Sequence, residues 1–161
     1  MKYLRGLTLK KLIREQGALT EPEIRSIGAQ VASAIDYIHR SGTIHRDIKS
    51  NNIIVDDDGH AFVMDFGIAK ANANTMLTTS GEILGTGPYM SPEQWDGVLD
   101  HRSDIYSLGI VLYEMAAGLL PFKSDRISEL MRMIMSGSAA AAGNAQRRGQ
   151  PRVMRVDPAM P

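Results

Sequence analysis

The stretch HRDIKSNN at residues 45–52, followed by MDFG at residues 64–67, decides how this chain of 161 residues folds. Two short apolar runs, IIV at 53–55 and AFVM at 61–64, lie on either side of the turn sequence DDDG. Apolar runs flanking such a turn predict a β-hairpin. A calcium loop is the alternative for DDDG, but the later ligand spacing of an EF-hand is missing, which favours the turn.

The ends of this hairpin carry the residues that predict chemistry. Asn52 precedes the first strand and Asp65 follows the second, so an antiparallel pairing makes them neighbours. Their oxygen atoms suit magnesium, a hard cation. Asp47, on the same loop, can accept a proton from a hydroxyl or orient it, and Lys49 can offset the charge of a phosphoryl group. The alternative is that Asp47, Asn52 and Asp65 are solvated turn residues; their shared hairpin and the flanking motifs weaken this alternative.

Four helices are predicted around the hairpin. Thr8 caps a short helix over residues 9–16, and the capping-box pattern TEPE at 20–23 begins a second helix that ends near residues 41–42. Ser103 is expected to cap a third helix over 104–117, and a fourth covers 127–135. The apolar stripe of the second helix has helical spacing: it comprises Ile24, Ile27, Val31, Ile35 and Ile38.

The third helix should be central and buried, because its apolar residues leave almost no polar face. These residues are Ile105, Leu108, Ile110, Val111, Leu112 and Met115. Residues 68–87 are rich in Thr, Ser, Asn and Gly and are predicted to form a long, mobile, functional loop. Residues 137–161 are rich in Ala, Gly, Arg and Pro, and we expect a poorly ordered tail.

Composition indicates an ordinary globular protein. Hydrophobic residues make up 43% of the chain, and 18 basic residues balance 18 acidic ones. The zero net charge gives no indication of nucleic-acid binding, and the absence of cysteine excludes disulfides and thiolate metal sites. No apolar run is long enough to cross a bilayer. A cytoplasmic location is expected, with a membrane anchor outside this segment left open.

These motifs resemble the catalytic loop and the metal-binding loop of eukaryotic-type (Hanks-type) serine/threonine protein kinases, especially bacterial ones. The resemblance implies that Asp47 is the catalytic base and Lys49 the residue that stabilises the phosphoryl group. Asn52 and Asp65 would bind Mg²⁺ or Mn²⁺, and Asp65 would connect the metal to the phosphates of ATP. Thr86 would bond the catalytic aspartate and lysine, as is typical of serine/threonine kinases.

Further motifs extend the resemblance over roughly residues 1–135. GTGPYMSPE at 85–93 resembles the substrate-facing loop and the Ala-Pro-Glu motif, and DIYSLG at 104–109 resembles the start of the central helix of the family. MKYLRG at 1–6 resembles the hinge between the two lobes. The residues implied to contact ATP besides Asp65 are Lys2 and Leu4, through their backbones, and Ile54, beneath the adenine ring.

The resemblance also implies structural and regulatory roles. Asp104 would hold the backbone of the catalytic loop. The other implied structural residues are His45, which packs beneath Phe66, together with Gly67 and Glu93. The implied regulatory residues are Arg46, which receives a phosphate from the activation loop, and the candidate acceptors Thr78, Thr79 and Ser80.

The predicted fold class is therefore mainly α: a protein-kinase-like C-terminal lobe, helical, with a small β-hairpin that carries the catalytic and metal-binding loops. Residues 1–136 would be a partial kinase domain, comprising hinge and C-lobe, and 137–161 the tail. Because the family's Gly-rich loop, strand lysine and helix glutamate precede the hinge, we expect a truncated catalytic domain that is inactive alone. Glu93 is expected to lack the arginine that pairs with it, at a cost if the carboxylate is buried.

The predicted function is ATP-dependent transfer of a phosphoryl group to serine or threonine hydroxyls of a protein substrate. One alternative is a non-catalytic kinase remnant that acts by binding, for instance through contacts with other kinases. The other alternative is a small-molecule kinase. The long loop and Thr86 argue against that alternative. The remaining histidines, His39, His60 and His101, are predicted to be ordinary surface or capping residues, and Tyr89 and Trp95 to pack the substrate-facing loop.

Overall fold

The computed structural model describes residues 5–65 and 85–137. These residues form a predominantly helical structure with a small antiparallel sheet. The helices are α1 (Leu9–Gln16), α2 (Glu21–Arg40), α3 (Pro92–Trp95), α4 (His101–Ala117) and α5 (Ile127–Ser136). The strands are β1 (Leu7–Thr8), β2 (Ile53–Val55) and β3 (Ala61–Val63), and 3₁₀ turns cover Ser50–Asn52 and Gly87–Tyr89.

The predicted hairpin is confirmed, and a third strand extends it. β2 pairs with β3 in the register Ile53 to Val63, and β1 adds to the other edge of β2 with Leu7 opposite Val55. A β-carbon at Gly6 would lie 2.5 Å from the Val55 carbonyl oxygen, so only glycine permits this approach. A strand of two residues carries no periodic signal in sequence, which explains why β1 was not predicted.

The capping box predicted before α2 is present. The Glu23 carboxylate accepts hydrogen bonds from the Thr20 backbone N–H at 2.8 Å and from its hydroxyl at 2.6 Å. The two hydrogen bonds lower the pKa of Glu23. The predicted stripe of α2 faces the core: Ile27, Val31, Ile35 and Ile38 are buried. α2 packs on α4 and also contacts β3 of the hairpin.

α4 is central, but two predictions about it are wrong. The helix begins at His101 rather than Asp104, because the Asp100 side chain accepts a hydrogen bond from the Arg102 N–H at 2.7 Å and caps it. Ser103, the predicted cap, is instead buried within the first turn. Ile105 is 53% exposed, so α4 keeps an outward side despite its apolar composition.

Candidate active site

The loop of residues 45–49 is attached to α4 through one buried carboxylate. Asp104, 1% exposed, accepts hydrogen bonds from the backbone N–H groups of His45 at 2.8 Å and Arg46 at 2.9 Å. Arg46 adopts the left-handed conformation with φ of 69°, which is uncommon for a residue with a side chain. The two hydrogen bonds hold Arg46 in this conformation. The resemblance implied that Asp104 contacts the backbone of this loop.

His39, in the last turn of α2, also contacts Asp104. Its Nε2 lies 2.8 Å from the same carboxylate. The prediction that His39 is an ordinary surface or capping residue is therefore wrong. The side chain of His39 is 16% exposed. The packing of α2 on α4 brings it to Asp104, a contact that the spacing of residues in α2 does not reveal.

His45 is fully buried and uses both ring nitrogens. Nε2 lies 3.1 Å from the Met64 carbonyl oxygen, and Nδ1 accepts the Asp47 N–H at 3.3 Å. This pattern requires the neutral ring with its proton on Nε2, because a second ring N–H would point at the Asp47 N–H. Burial lowers the pKa of His45, although nearby carboxylates, Asp104 foremost, oppose that shift.

The Asp47 carboxylate is the centre of the site. Thr86 donates its hydroxyl to Oδ1 at 3.0 Å, and Lys49 Nζ donates to Oδ2 at 2.9 Å. The Asn52 side-chain amide donates to Oδ2 and to the Asp47 backbone oxygen, both at 2.9 Å. Lys49 Nζ also bonds the Thr86 hydroxyl at 3.0 Å. Lys49 and Asn52 precede residues 66–84 in the sequence and Thr86 follows them, and all three donate to one carboxylate.

Asn52 and Asp65 lie at the two ends of the hairpin, as predicted. The Met64 N–H donates to the Asn52 backbone oxygen at 2.7 Å, which places Asp65 one residue beyond that bond. Asp65 is exposed and has φ of 54°. Within the described residues, the Asn52 side-chain oxygen and the Asp65 carboxylate accept no hydrogen bond. An amide oxygen beside a solvent-facing carboxylate is a donor set that fits a magnesium ion.

The other predicted site residues have mixed outcomes. Ile54 is half-buried in β2. Glu93 is exposed rather than buried, so the expected cost of an unpaired buried carboxylate does not arise; its charge contributes to the raised pKa of Tyr106, after burial. Several predicted residues lie outside the described ranges: Lys2, Leu4, Phe66, Gly67, Thr78, Thr79 and Ser80.

The turn at residues 56–59 forms as predicted. Oδ1 of Asp56 accepts the backbone N–H groups of Asp58 at 3.0 Å and His60 at 2.8 Å, and these hydrogen bonds lower the pKa of Asp56. Side-chain ligand atoms of Asp56, Asp58 and His60 lie within 4.8 Å of one another. The hydrogen bonds that the Asp56 carboxylate forms within the turn account for this proximity.

Sequence reasoning missed a second polar group beside the site. Tyr89, which was predicted only to pack, donates its hydroxyl to the buried Glu114 at 2.7 Å and lies 2.9 Å from the Ser50 hydroxyl. Lys10 of α1 bonds the other oxygen of Glu114 at 2.6 Å. A glutamate among the apolar residues in the second half of α4 was a signal in the sequence, but its partners are more than 24 residues away.

A membrane-spanning helix is not found among residues 5–65 and 85–137, since none of their helices is both long and apolar enough.

The chain matches known proteins over most of its length. The family model for the protein kinase domain matches residues 1–156. A probable serine/threonine-protein kinase of Clostridium acetobutylicum is 48% identical over 126 residues, which cover 78% of this chain and 19% of the relative. For the serine/threonine-protein kinases PrkC of Bacillus subtilis and PknL of Mycobacterium tuberculosis, the identities are 44% and 40% over 126 residues.

The chain thus spans about a fifth of the length of the first and second of these relatives and about a third of the third. The residues matched by the family model include the loop around Asp47 and the hairpin that follows it. The chain belongs to the protein kinase family, and its relatives are bacterial serine/threonine-protein kinases of the Hanks type.

Proposed function

We propose that this chain is the hinge and C-terminal lobe of a serine/threonine protein kinase that transfers the terminal phosphoryl group of ATP to protein hydroxyls. The observation that carries the proposal is the Asp47 carboxylate, which accepts hydrogen bonds from Thr86, Lys49 and Asn52. Family membership supports a phosphotransferase that uses ATP and a divalent metal. The relatives are named serine/threonine-protein kinases, which supports serine and threonine as acceptors.

In the proposed reaction, Asp47 orients the acceptor hydroxyl and takes its proton. The hydroxyl oxygen bonds to the terminal phosphorus as the bond from that phosphorus to the ADP oxygen breaks. Lys49 is 16% exposed at its side chain and lies between Asp47 and Thr86, so its charge can offset the charge on the phosphoryl oxygens. The protein contributes mainly by positioning the acceptor hydroxyl and the phosphoryl group.

Asn52 and Asp65 would hold the metal ion. When bound, the metal would neutralise charge on the phosphates of ATP. Asn52 is anchored for this role because both hydrogen bonds from its amide nitrogen go to Asp47, and its oxygen is therefore turned away from that residue. Magnesium is the natural choice for an amide and a carboxylate oxygen, and manganese accepts the same ligands.

Regulation by phosphorylation is a further part of the proposal. Arg46 lies within the catalytic loop and is half-buried, and its guanidinium forms no ion pair within the described residues. A phosphate on Thr78, Thr79 or Ser80 could supply the missing anion through charge-assisted hydrogen bonds. Phosphate on these residues in the active protein, found by peptide mass spectrometry, would support this role; an active protein without it would contradict it.

The experiment that tests the proposal is a chimera. The 126 matched residues replace their counterparts in PrkC of Bacillus subtilis, and transfer from ATP to a peptide containing serine or threonine is measured. We expect the chimera to transfer phosphate to the peptide. A folded but inactive chimera would favour the alternative of a kinase remnant that acts by binding.

A further inference from the structure

The start of β3 is bonded by one side chain of α2. Gln30 donates from Nε2 to the Gly59 backbone oxygen at 3.0 Å, and its Oε1 accepts the Ala61 N–H at 2.9 Å. Nε2 also lies 3.3 Å from the hydroxyl and backbone oxygens of Ser26, within α2. This orientation of the amide pairs a donor with an acceptor at both of its polar atoms. Gln30 therefore connects α2 to the hairpin.

These hydrogen bonds lie on the open edge of the sheet. β3 is an edge strand, because the strand order is β1, β2, β3. The Met64 N–H donates to the Asn52 oxygen, and the backbone groups of successive residues in an antiparallel strand point alternately toward and away from the partner. Ala61 therefore directs its N–H away from β2. Gln30 bonds backbone groups that a fourth strand would otherwise pair with.

The strands of the hairpin are too short to fix its geometry by themselves. β2 and β3 have three residues each, and β1 has two. A short hairpin is marginally stable in water, and a slip of one residue in its register turns every side chain to the opposite face. Contacts from outside the sheet are therefore needed to keep Asn52 and Asp65 beside each other.

Two side chains from outside the sheet bond β3 and the residue after it. Gln30 bonds Ala61 at the start of the strand, and His45 Nε2 lies 3.1 Å from the Met64 carbonyl oxygen, one residue beyond its end. Asp65 follows directly. The two attachments are three residues apart, about 10 Å along an extended strand. A strand held at two such points can neither slide nor tilt freely, so the position of Asp65 depends on both attachments.

We propose that Gln30 is a positioning residue for the metal site. Its side-chain amide takes the place of a fourth strand at the edge of β3 and fixes the start of that strand, so that Asp65 lies beside Asn52. The inference rests on the proposed function, in which Asn52 and Asp65 hold the metal ion. Gln30 acts only through β3, and its loss should weaken binding of the metal without changing binding of the peptide.

Amide hydrogen exchange in the 161-residue chain tests the hydrogen bonds directly. Gln30→Met keeps the length and the helix propensity of the side chain and removes its donor and its acceptor. The Ala61 N–H should then exchange about tenfold faster, because it loses its hydrogen bond on an open edge. The matched control is Gln16→Met, at an exposed glutamine of α1, which should leave the Ala61 rate within about twofold. Equal Ala61 rates in the two variants would overturn the proposal.

A carboxylate at the same position separates the two hydrogen bonds. Gln30→Glu keeps an acceptor for the Ala61 N–H and loses the donor to the Gly59 oxygen. We expect Gln30→Glu to hold the Ala61 exchange rate within about threefold of the unsubstituted chain at neutral pH. A rate equal to that of Gln30→Met would contradict the proposal, since the acceptor for Ala61 would then play no part in holding β3.

Kinetics in a PrkC chimera that carries residues 30–65 of this chain separate metal positioning from stability. In Gln30→Met, the magnesium concentration that gives half of the maximal rate should rise about tenfold, while KM for the peptide stays within about twofold. An unchanged magnesium requirement, or an equal rise in the peptide KM, would overturn the positioning role. If the unsubstituted chimera transfers nothing, the proposed function fails, and the Ala61 exchange rates still decide whether Gln30 holds β3.

Discussion

At the scale of single residues, the site contains three carboxylates that make different contacts. Asp104 accepts hydrogen bonds from the backbone N–H groups of His45 and Arg46 and fixes the loop backbone at these residues. Asp47 accepts side-chain donors from the same loop and from Thr86. Asp65, which follows the hairpin, is exposed. Two of the carboxylates are therefore fixed by hydrogen bonds, and the third is available for a ligand.

His45 offers a prediction about pH. Burial lowers the pKa of its folded form below the ordinary value of about 6.5 for the unfolded chain. The unfolded state then binds more protons, so stability is fully present above about pH 6.5 and is lost as the pH falls through the folded value. A ring-proton NMR titration of the four histidines should show His45 as a neutral ring at pH 6.5. A His45 resonance that titrates above pH 6.5 would contradict this prediction.

The hairpin pattern predicted that Asn52 and Asp65 lie at its two ends, and the family resemblance implied the contact of Asp104 with the loop, because both depend on positions within short, ordered segments. Neither could predict the contact of His39. The carboxylate that His39 contacts is 65 residues away, and only the crossing of α2 and α4 brings them together. Spacing along one helix reports which side of it is apolar, not which polar group on another helix meets a histidine.

At the scale of elements, helix ends illustrate the same limit. The start of α1 follows from Thr8, and the start and end of α2 follow from the capping box and the Ser41–Gly42 stop. The start of α4 was placed three residues late, because both Asp100 and Ser103 are good N-cap residues and the sequence does not decide between them. In the structure Ser103 is buried within the first turn, and Asp100 is the N-cap.

Two glycines at helix ends provide a matched pair for mutation. Gly118, after α4, has φ of 73°, and Gly137, after α5, has φ of 62°. A β-carbon at Gly118 would lie 3.0 Å from the Ala18 backbone nitrogen, whereas Gly137 has nothing within 4 Å. Gly137→Ala should cost about 1 kcal/mol from backbone strain alone. Gly118→Ala should cost clearly more, about 2–3 kcal/mol.

Urea unfolding of the two alanine variants measures this difference. Both variants place alanine in the same backbone region, so the excess at Gly118 reports the packing of the α4 end against the Gly17–Ala18 turn. Equal free energies of unfolding for the two variants would show that this contact does not contribute to stability.

At the scale of the whole molecule, the described residues form a support with the reactive groups on one loop and one hairpin. α2 and α4 pack together, Asp104 of α4 holds the catalytic loop, and Glu114 of the same helix holds the Thr86 segment through Tyr89. α4 was predicted to be central from its composition alone. Its role as the anchor for both segments needed the three-dimensional arrangement, because the polar contacts span up to 104 residues.

The central claim is that Asp47 at this site promotes phosphoryl transfer, and its most direct test is the transfer rate of the PrkC chimera. Asp47→Asn should lower kcat at least 100-fold, since it removes the group that accepts the proton, while the exposed turn variant Asp58→Asn should change kcat less than twofold. Comparable rates for Asp47→Asn and the unsubstituted chimera would contradict the account.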